Sequence, residues 1–435
     1  MHETIPLTRV SRRKGTPGVK LFISKAAARL RKKIAGLLQI ALSYAIVYWV
    51  CRGTACLKLD RHAIQGLTPP FIVLSNHTSN FDPFFVQFAI RQYPCYFLTS
   101  NYYFRLPIIG TLLRFFGAIP KIQFSPDIRS TRGTLEAIAR GDVVGIFPEG
   151  RRSIDGSCCN IADSITKLIK KTKVPVISVN IRGAYFVWPR WSSSWRRGHV
   201  EIVAKQLFSP VDIESMETGQ MQNIICQALA YNEYDWNRQA GIVYAHKKAA
   251  EQLHLILHQC PRCLGAQKMR SKENRLYCTT CGNTALIDNN GFLQPLDEYC
   301  RVFDDPVQWT VWQRSIMFSL LYSQGFELYG AVKELRVADK FYGPFRTCGS
   351  GHISLRTDGL RFWGQIDHQD TELFFPISMI PTISTEFGYD FEICDAKNAW
   401  WIFLEEEQQT VRLECAISLL YQLKHGENTK YYPCC

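Results

Sequence analysis

The sequence predicts an α/β protein with smaller modules behind its main sheet, and three observations carry that expectation. Two apolar runs, Phe71-Ile72-Val73-Leu74 and Val143-Val144-Gly145-Ile146-Phe147, have the length and composition of buried strands. Each leads into a loop rich in reactive side chains, Asn76-His77-Thr78-Ser79-Asn80-Phe81-Asp82-Pro83 and Phe147-Pro148-Glu149-Gly150-Arg151-Arg152-Ser153. Residues just past the carboxyl ends of strands in an open α/β sheet line its ligand crevice. Third, residues 300–435 change to short alternating and aromatic segments, the mark of antiparallel strands. At 435 residues the chain exceeds one typical core, so two or three domains are expected.

Residues 1–58 read as a basic arm and then an apolar helix. Residues 1–33 hold ten Lys/Arg against one acid, Glu3, which is nine of the net thirteen positive charges. Such an arm suits nucleic acid or an anionic membrane, and the adjoining segment decides between them. Ile34 to Cys51 carries no charge over eighteen residues, the lower limit for a spanning helix, with Tyr44, Tyr48 and Trp49 suited to a membrane interface. Val19 to Leu30 mixes apolar and basic residues as an interfacial helix does. A secretory signal is disfavoured by the long arm and the missing small-residue cleavage site. By the positive-inside rule the arm stays cytoplasmic, and one full span would export the rest of the chain. A helix embedded from the cytoplasmic leaflet is therefore expected, with Tyr102 to Ile119 against the same membrane face or packed on the core. Arg105 and Arg114 forbid that second segment a cheap span.

Residues 59–212 hold the chemistry. Asp82-Pro83 reads as a helix start, an N-cap acid before Pro at the first helical position. His77 then lies on a short strand-to-helix loop with Asp82 at its far end. A tight loop brings the two together, so that the carboxylate fixes the imidazole tautomer while the other ring nitrogen takes a proton from an alcohol. A lone His-x4-Asp is usually a polar surface pair; the ordered second motif is what gives it weight.

His-x4-Asp, then Phe-Pro-Glu-Gly-Arg-Arg-Ser, then Val174-Pro175-Val176-Ile177-Ser178 resembles the motif set of the glycerolipid acyltransferases, the lysophosphatidic acid acyltransferase family, over about residues 60–210. The resemblance implies a glycerolipid-acyltransferase-like sheet with flanking helices. It also implies His77 as general base and Asp82 as its orienting partner, with Glu149, Gly150 and Arg151 shaping the acceptor site. The acyl donor it implies is acyl-CoA or acyl carrier protein. One departure stands out: in Gly117-Ala118-Ile119-Pro120-Lys121-Ile122-Gln123, the place of the family's phosphate-gripping Arg holds Gln123. Lys121 supplies a point charge without the Arg fork. Arg129, Arg132, Arg151 and Arg152 are the other cations available to a phosphate.

Residues 213–258 read as a helical linker, with segments Met216 to Tyr231 and Ala240 to His258. His254 and His258, four apart, are expected on a solvated face. Residues 259–290 carry Cys260-Pro261-Arg262-Cys263 and Cys278-Thr279-Thr280-Cys281, two Cys-x2-Cys knuckles fourteen residues apart. Four thiolates in that spacing predict a zinc ribbon with structural Zn2+. The remaining twelve of the sixteen cysteines are scattered, mostly in apolar surroundings, as reduced residues of a cytoplasmic protein are. Cys434-Cys435 is weak as a lipidation signal.

In residues 300–435, strands are expected at His352–Leu355, Leu360–Trp363, Glu372–Phe375, Asp390–Cys394 and Trp400–Leu404, with a helix over Gln409 to Lys424. Antiparallel strands closed by one helix resemble a PH-like barrel, and no basic cluster marks it as a phosphoinositide reader. The order acyltransferase, ribbon, PH-like module resembles a subgroup of bacterial lysophospholipid acyltransferase-like proteins. The expectation is a membrane-associated O-acyltransferase at the cytoplasmic face, acting on a lysophospholipid, 1-acylglycerol 3-phosphate first, with membrane lipids as its surroundings. The missing motif-two Arg motivates a second acceptor class, a lyso-aminolipid or glycolipid. A nucleic-acid-binding zinc-ribbon protein is the alternative of a different class. Against it, the arm runs into an apolar helix and the ribbon lacks aromatic stacking residues, so no nucleic-acid partner is expected. An inactive scaffold is disfavoured by the presence of His77, Asp82 and Glu149 together.

Overall fold

A computed structural model describes residues 17–53, 55–341, 343–385, 388–426 and 431–432, with side chains from Ala26 to Gly426. The basic arm before Pro17 lies outside the described residues. Helix α1 (Pro17–Val50) is continuous through the apolar run. One face packs on the domain through Ala35, Val47 and Val50, while Leu30, Ile34, Leu37, Leu38 and Leu42 stay exposed.

The strands of the first half are β1 (Leu57–Asp60), β2 (Phe71–Ser75), β3 (Cys95–Ser100), β4 (Ile119–Lys121), β5 (Val143–Ile146), β6 (Ile161–Ala162), β7 (Val176–Arg182) and β8 (Val200–Phe208). All but β6 form one sheet in the order β1-β8-β7-β2-β5-β3-β4. From β7 through β4 the strands are parallel; β7 and β8 pair antiparallel. The helices are α2 (Asp82–Ile90), α3 (Asn101–Arg105), α4 (Pro107–Phe115), α5 (Ile128–Ala139), α6 (Ser164–Thr172), α7 (Ala184–Val187), α8 (Pro210–Ser215), α9 (Thr218–Leu229) and α10 (Glu233–Ala240).

Strand β2 shows why the apolar runs are unbroken. Phe71 and Val73 enter the core shared with α1 and α2, whereas Ile72 and Leu74 enter the opposite core with α5, α6 and α9. A strand covered on both faces has no polar side to display. In β5, Gly145 is needed for close approach: a Cβ there would stand 2.6 Å from the Phe97 ring and 2.7 Å from the Cys95 sulfur.

Three local expectations change. Asp82 is the first residue of α2, and Phe81 is its N-cap, because the Asp82 carboxylate turns back onto the loop instead of capping the helix. The segment from Tyr102 to Ile119 is two short helices broken at Leu106-Pro107, and α4 leaves Ile108, Ile109 and Leu112 exposed. No helix spans Ala240 to His258: α10 ends at Ala240, Gln252 has φ +72°, and only a 3-10 turn comes after it at Leu253–Leu255. That stretch pairs with the ribbon instead, Ala250 N donating to Glu273 O at 2.7 Å.

The ribbon is four antiparallel strands, β9 (Met269–Lys272), β10 (Arg275–Cys278), β11 (Thr284–Ile287) and β12 (Leu293–Pro295), in the order β12-β11-β10-β9. Its core takes in Leu253, Ile256 and Leu257 from the preceding stretch and Trp309 from α11 (Pro306–Leu321). His254 and His258 are buried at this junction rather than solvated. His254 bridges Ser271 at 2.7 Å and Glu407 at 3.0 Å. Cys158 is disulfide-bonded, a departure from the reduced expectation; the other described cysteines form no disulfide.

The C-terminal module is a second seven-stranded sheet: β13 (Leu328–Asp339), β14 (Arg346–Arg356), β15 (Gly359–Ile366), β16 (Gln369–Pro376), β17 (Ser384–Thr385), β18 (Asp390–Cys394) and β19 (Asn398–Leu404). Every pairing is antiparallel, in the order β16-β15-β14-β13-β19-β18-β17. Helix α12 (Gln409–His425) covers its core with Leu413, Ala416, Ile417 and Leu420. Beyond it β20 (Tyr431–Tyr432) pairs antiparallel with β6.

Candidate active site

His77 and Glu149 both lie just past the carboxyl ends of neighbouring parallel strands, β2 and β5. The His77 Nδ1 stands 2.8 Å from Asp82 Oδ2. That oxygen also accepts the backbone N–H groups of Thr78 at 2.6 Å and Ser79 at 2.7 Å. The fully buried Asp82 carboxylate thus gathers three donors on that one oxygen. It accepts only, so Nδ1 carries the proton and Nε2 keeps its lone pair. Burial lowers the imidazole pKa, Asp82 opposes that, and the nearby Arg152 and Arg190 guanidiniums lower it further. The ring therefore rests neutral. Phe147 stacks on it at 4.1 Å between ring centroids.

The loop around His77 is fastened from three sides. Asn76 clamps β7, donating to Ile181 O at 2.7 Å and accepting from Ile181 N at 2.8 Å. Ser153 N donates to His77 O at 2.7 Å. Glu149 accepts from His77 N at 2.9 Å, from Cys159 N at 2.8 Å, and from the Tyr231 hydroxyl at 3.0 Å. Its carboxylate, expected to shape the acceptor site, faces inward as a brace. Burial pushes its pKa up to about 7 against the pull of these three donors.

The remaining expected residues do not converge as free cations. Lys121 is half-buried, and its ammonium donates to Ile122 O at 2.7 Å and Ser125 O at 2.8 Å. Gln123 donates to Gly150 O at 2.6 Å and accepts from Ser384 of β17 at 2.7 Å. Gly150 has φ +71°, a conformation glycine adopts without strain. Arg151 is ion-paired with Glu414 on α12. Arg132 pairs with Glu136 on its own helix, and Arg129 stacks over Phe341 at 5.0 Å. Arg152 remains within electrostatic reach of His77.

Four participants were not foreseen from the sequence. Arg190 donates to Arg152 O at 3.3 Å and also to Thr385 O of β17. Tyr231, just past α9, closes on Glu149. Ser384 and Glu414 reach Gln123 and Arg151 from the far end of the chain. Only proximity in the fold announces them, since none sits in a recognisable local pattern.

The four ribbon cysteines Cys260, Cys263, Cys278 and Cys281 bring their sulfurs within 4.8 Å of one another. Cys260 and Cys281 sulfurs lie 3.6 Å apart, and those of Cys263 and Cys278 lie 3.7 Å apart.

Residues 40–182 match the family model described as Acyltransferase. The chain is 26% identical over 152 residues to the chloroplastic 1-acyl-sn-glycerol-3-phosphate acyltransferase BAT2 of Brassica napus, covering 34% of this chain and 44% of that protein. It is 27% identical over 169 residues to a 1-acyl-sn-glycerol-3-phosphate acyltransferase of Chlamydomonas reinhardtii, covering 37% of this chain and 50% of that one. The chain thus spans half or less of the length of these curated relatives. The crystal structure of the 1-acyl-sn-glycerophosphate acyltransferase PlsC from Thermotoga maritima aligns with a TM-score of 0.38 at 21% identity, over 48% of this chain and 83% of that one. Over the matched residues the chain is acyltransferase-like, and it resembles enzymes of glycerolipid metabolism.

Proposed function

We propose that this protein is a membrane-associated O-acyltransferase that moves a fatty acyl group from acyl-CoA or acyl carrier protein to the hydroxyl of a lysophospholipid, 1-acylglycerol 3-phosphate first. The observation that carries the reading is the His77–Asp82 pair, oriented by the converging Thr78 and Ser79 amides, inside the segment that matches an acyltransferase family. His77 Nε2 takes the acceptor hydroxyl proton as the oxygen attacks the thioester carbonyl. The carbon–sulfur bond breaks and the thiol leaves with that proton. Asp82 stabilises the transient imidazolium.

The acceptor's charge is the open variable. Lys121 and Arg151 are engaged with protein groups, and Gln123 stands at the family's Arg place. Arg152 and Arg190 are the phosphate holders this reading assigns, because their charge reaches His77; Arg190 would exchange its bonds to Arg152 O and Thr385 O for the phosphate. The engagement of the expected cations favours, as a second reading, a neutral acceptor such as a lyso-aminolipid or glycolipid.

Membrane association rests on α1, whose Ala26–Val50 portion is long and apolar enough to cross a bilayer. Its exposed stripe stands beside the exposed Ile108, Ile109 and Leu112 of α4, with Arg31 over the Phe115 ring at 5.7 Å. Docking from the cytoplasmic leaflet keeps the donor within reach. In the ribbon, thiolates about 2.3 Å from a tetrahedral Zn2+ stand roughly 3.8 Å apart, close to the two separations seen. The donor set fits a structural zinc that would staple the β9–β12 sheet. The antiparallel order and capping α12 support a PH-like reading of the C-terminal module.

The test is product formation by the purified full chain with palmitoyl-CoA and lysophosphatidic acid, read as phosphatidic acid by mass spectrometry. His77→Ala should lose ~10²–10⁴-fold in rate; a variant turning over near the normal rate refutes the mechanism. Acylation of a lyso-aminolipid but not of lysophosphatidic acid moves the acceptor to the second class.

A further inference from the structure

A cavity opens at the end of the sheet away from His77. It encloses about 480 Å³ between Arg61, next after β1, the 64–68 turn, and the end of α2 at Arg91. Phe71, at the start of β2, also lines it. His77 lies six residues further along, about 20 Å away at the rise of a strand. The cavity is therefore separate from the proton-transfer site.

Its charge is one-sided. Arg61 and Arg91 both line it, and no Asp or Glu does. Neither guanidinium has a carboxylate partner among the described residues. The nearest acid in sequence, Asp60, accepts from His62 N at 3.2 Å. The Arg61 Nε is buried and meets no hydrogen-bond acceptor, a state that costs stability unless a ligand supplies one. Arg91 is held at a set place: its amide closes α2 on Gln87 O at 3.0 Å with φ +52°, and its guanidinium lies over the Phe88 ring at 5.8 Å. The two cations repel, which lowers the Arg61 pKa beyond the effect of burial. An anion between them removes that repulsion and fills the vacant donors.

We propose that this cavity is a binding site for a phosphate-bearing anion. Two planar forks of donors suit a group with several charged oxygens better than a single carboxylate. The volume falls in the ~300–1,000 Å³ range of small-molecule sites, far more than bare phosphate needs, so an organic phosphate ester fits. Phe88, under the Arg91 guanidinium, links the cavity's rim to α1: Tyr44 and Tyr48 pack edge-on to it at 4.8 and 6.0 Å. A lipid headgroup and a soluble phosphate share the required chemistry, and binding measurements separate them.

The test titrates the full chain in non-ionic detergent with inorganic phosphate, dihexanoylphosphatidylglycerol and dihexanoylphosphatidylcholine, following the thermal unfolding midpoint. The anionic lipid should act at concentrations about tenfold or more below the choline lipid. Arg61→Gln and Arg91→Gln should each weaken it about tenfold, the loss of one charge-assisted contact, while Arg132→Gln, an equal charge change at an exposed position of α5, should not. Stronger action by the lipid than by phosphate assigns a headgroup; equal action assigns a soluble phosphate, and both support the site. Arg91 is exposed at a helix end, so its variant decides alone where Arg61→Gln does not fold. Wild-type titration curves for Arg91→Gln with both phosphate ligands would overturn the proposal.

Discussion

The backbone N–H of His77 donates to Glu149 Oε1 at 2.9 Å, so two motifs 72 residues apart in the chain are one bonded unit. Glu149 is 4% exposed, and Cys159 N and Tyr231 hold its other oxygen. We read Glu149 as a positioning residue that sets the height of the His77 loop against β5.

That reading predicts the outcome of Glu149→Gln. The amide keeps the volume but turns one acceptor into a donor facing either the His77 or the Cys159 N–H. A buried unmatched donor costs about 1–3 kcal/mol. The variant should unfold at lower temperature and lose turnover, while the donor KM changes little. An unchanged melting temperature together with a raised acceptor KM would instead make Glu149 a substrate contact.

The cations near His77 set a pH profile. In the proposed mechanism the active form is the neutral imidazole, and its pKa lies below the usual value. The acid limb of kcat/KM should therefore fall below pH 6.5, with activity lost only as pH drops through that lowered value. Arg152→Gln removes a charge that disfavours the imidazolium, so the limb should move to higher pH. Asp82→Asn removes a group that favours it, so whatever activity survives should show a limb at still lower pH. Rates measured from mildly acidic to mildly alkaline pH check both signs; a limb that stays fixed in both variants contradicts His77 as the titrating base.

Much of this site was legible because its chemistry is local. The β2 and β5 runs are apolar since both faces are covered, and the His77–Asp82 contact needs only a tight loop. Asp305-Pro306 carries the same helix-start signature that was read at Asp82-Pro83, and there the Asp305 side chain does accept from Gln308 N at 2.9 Å; α11 could have been anticipated. The Ala240–His258 periodicity misled because its apolar residues pack on the ribbon, a tertiary partner that overrides helical spacing. The engagement of Arg151 and Gln123 was not legible, since Glu414 and Ser384 lie in a separate module at the far end of the chain.

Metal content is the third expectation. Purified without chelator, the protein should carry one zinc per chain by elemental analysis, and Cys281→Ser should lower that content. Stripping the metal leaves thiols without their common centre, so amide exchange should rise across Met269–Pro295 and in the packed Leu253–Leu257 stretch. Exchange around His77 should stay near its starting level. Zinc-free protein with an unaltered exchange pattern would show that the four sulfurs need no ion.

The Arg151–Glu414 pair supplies the fourth. Glu414 is buried and Arg151 half-buried, and removing one partner of such a pair typically costs about 3–5 kcal/mol because the other charge is left in low dielectric. Glu414→Gln keeps the side-chain volume while removing the charge. Helix α12 should then release from the 147–153 loop, seen as faster amide exchange over Gln409–His425 and earlier cleavage of the C-terminal module in limited proteolysis. The module also holds Gln123 through Ser384 and Arg190 through Thr385, so its loosening should raise the acceptor KM while leaving the donor KM in place. A lower acceptor KM would mean the opposite: that Glu414 competes with the acceptor for Arg151, and that the guanidinium, once freed, grips the substrate.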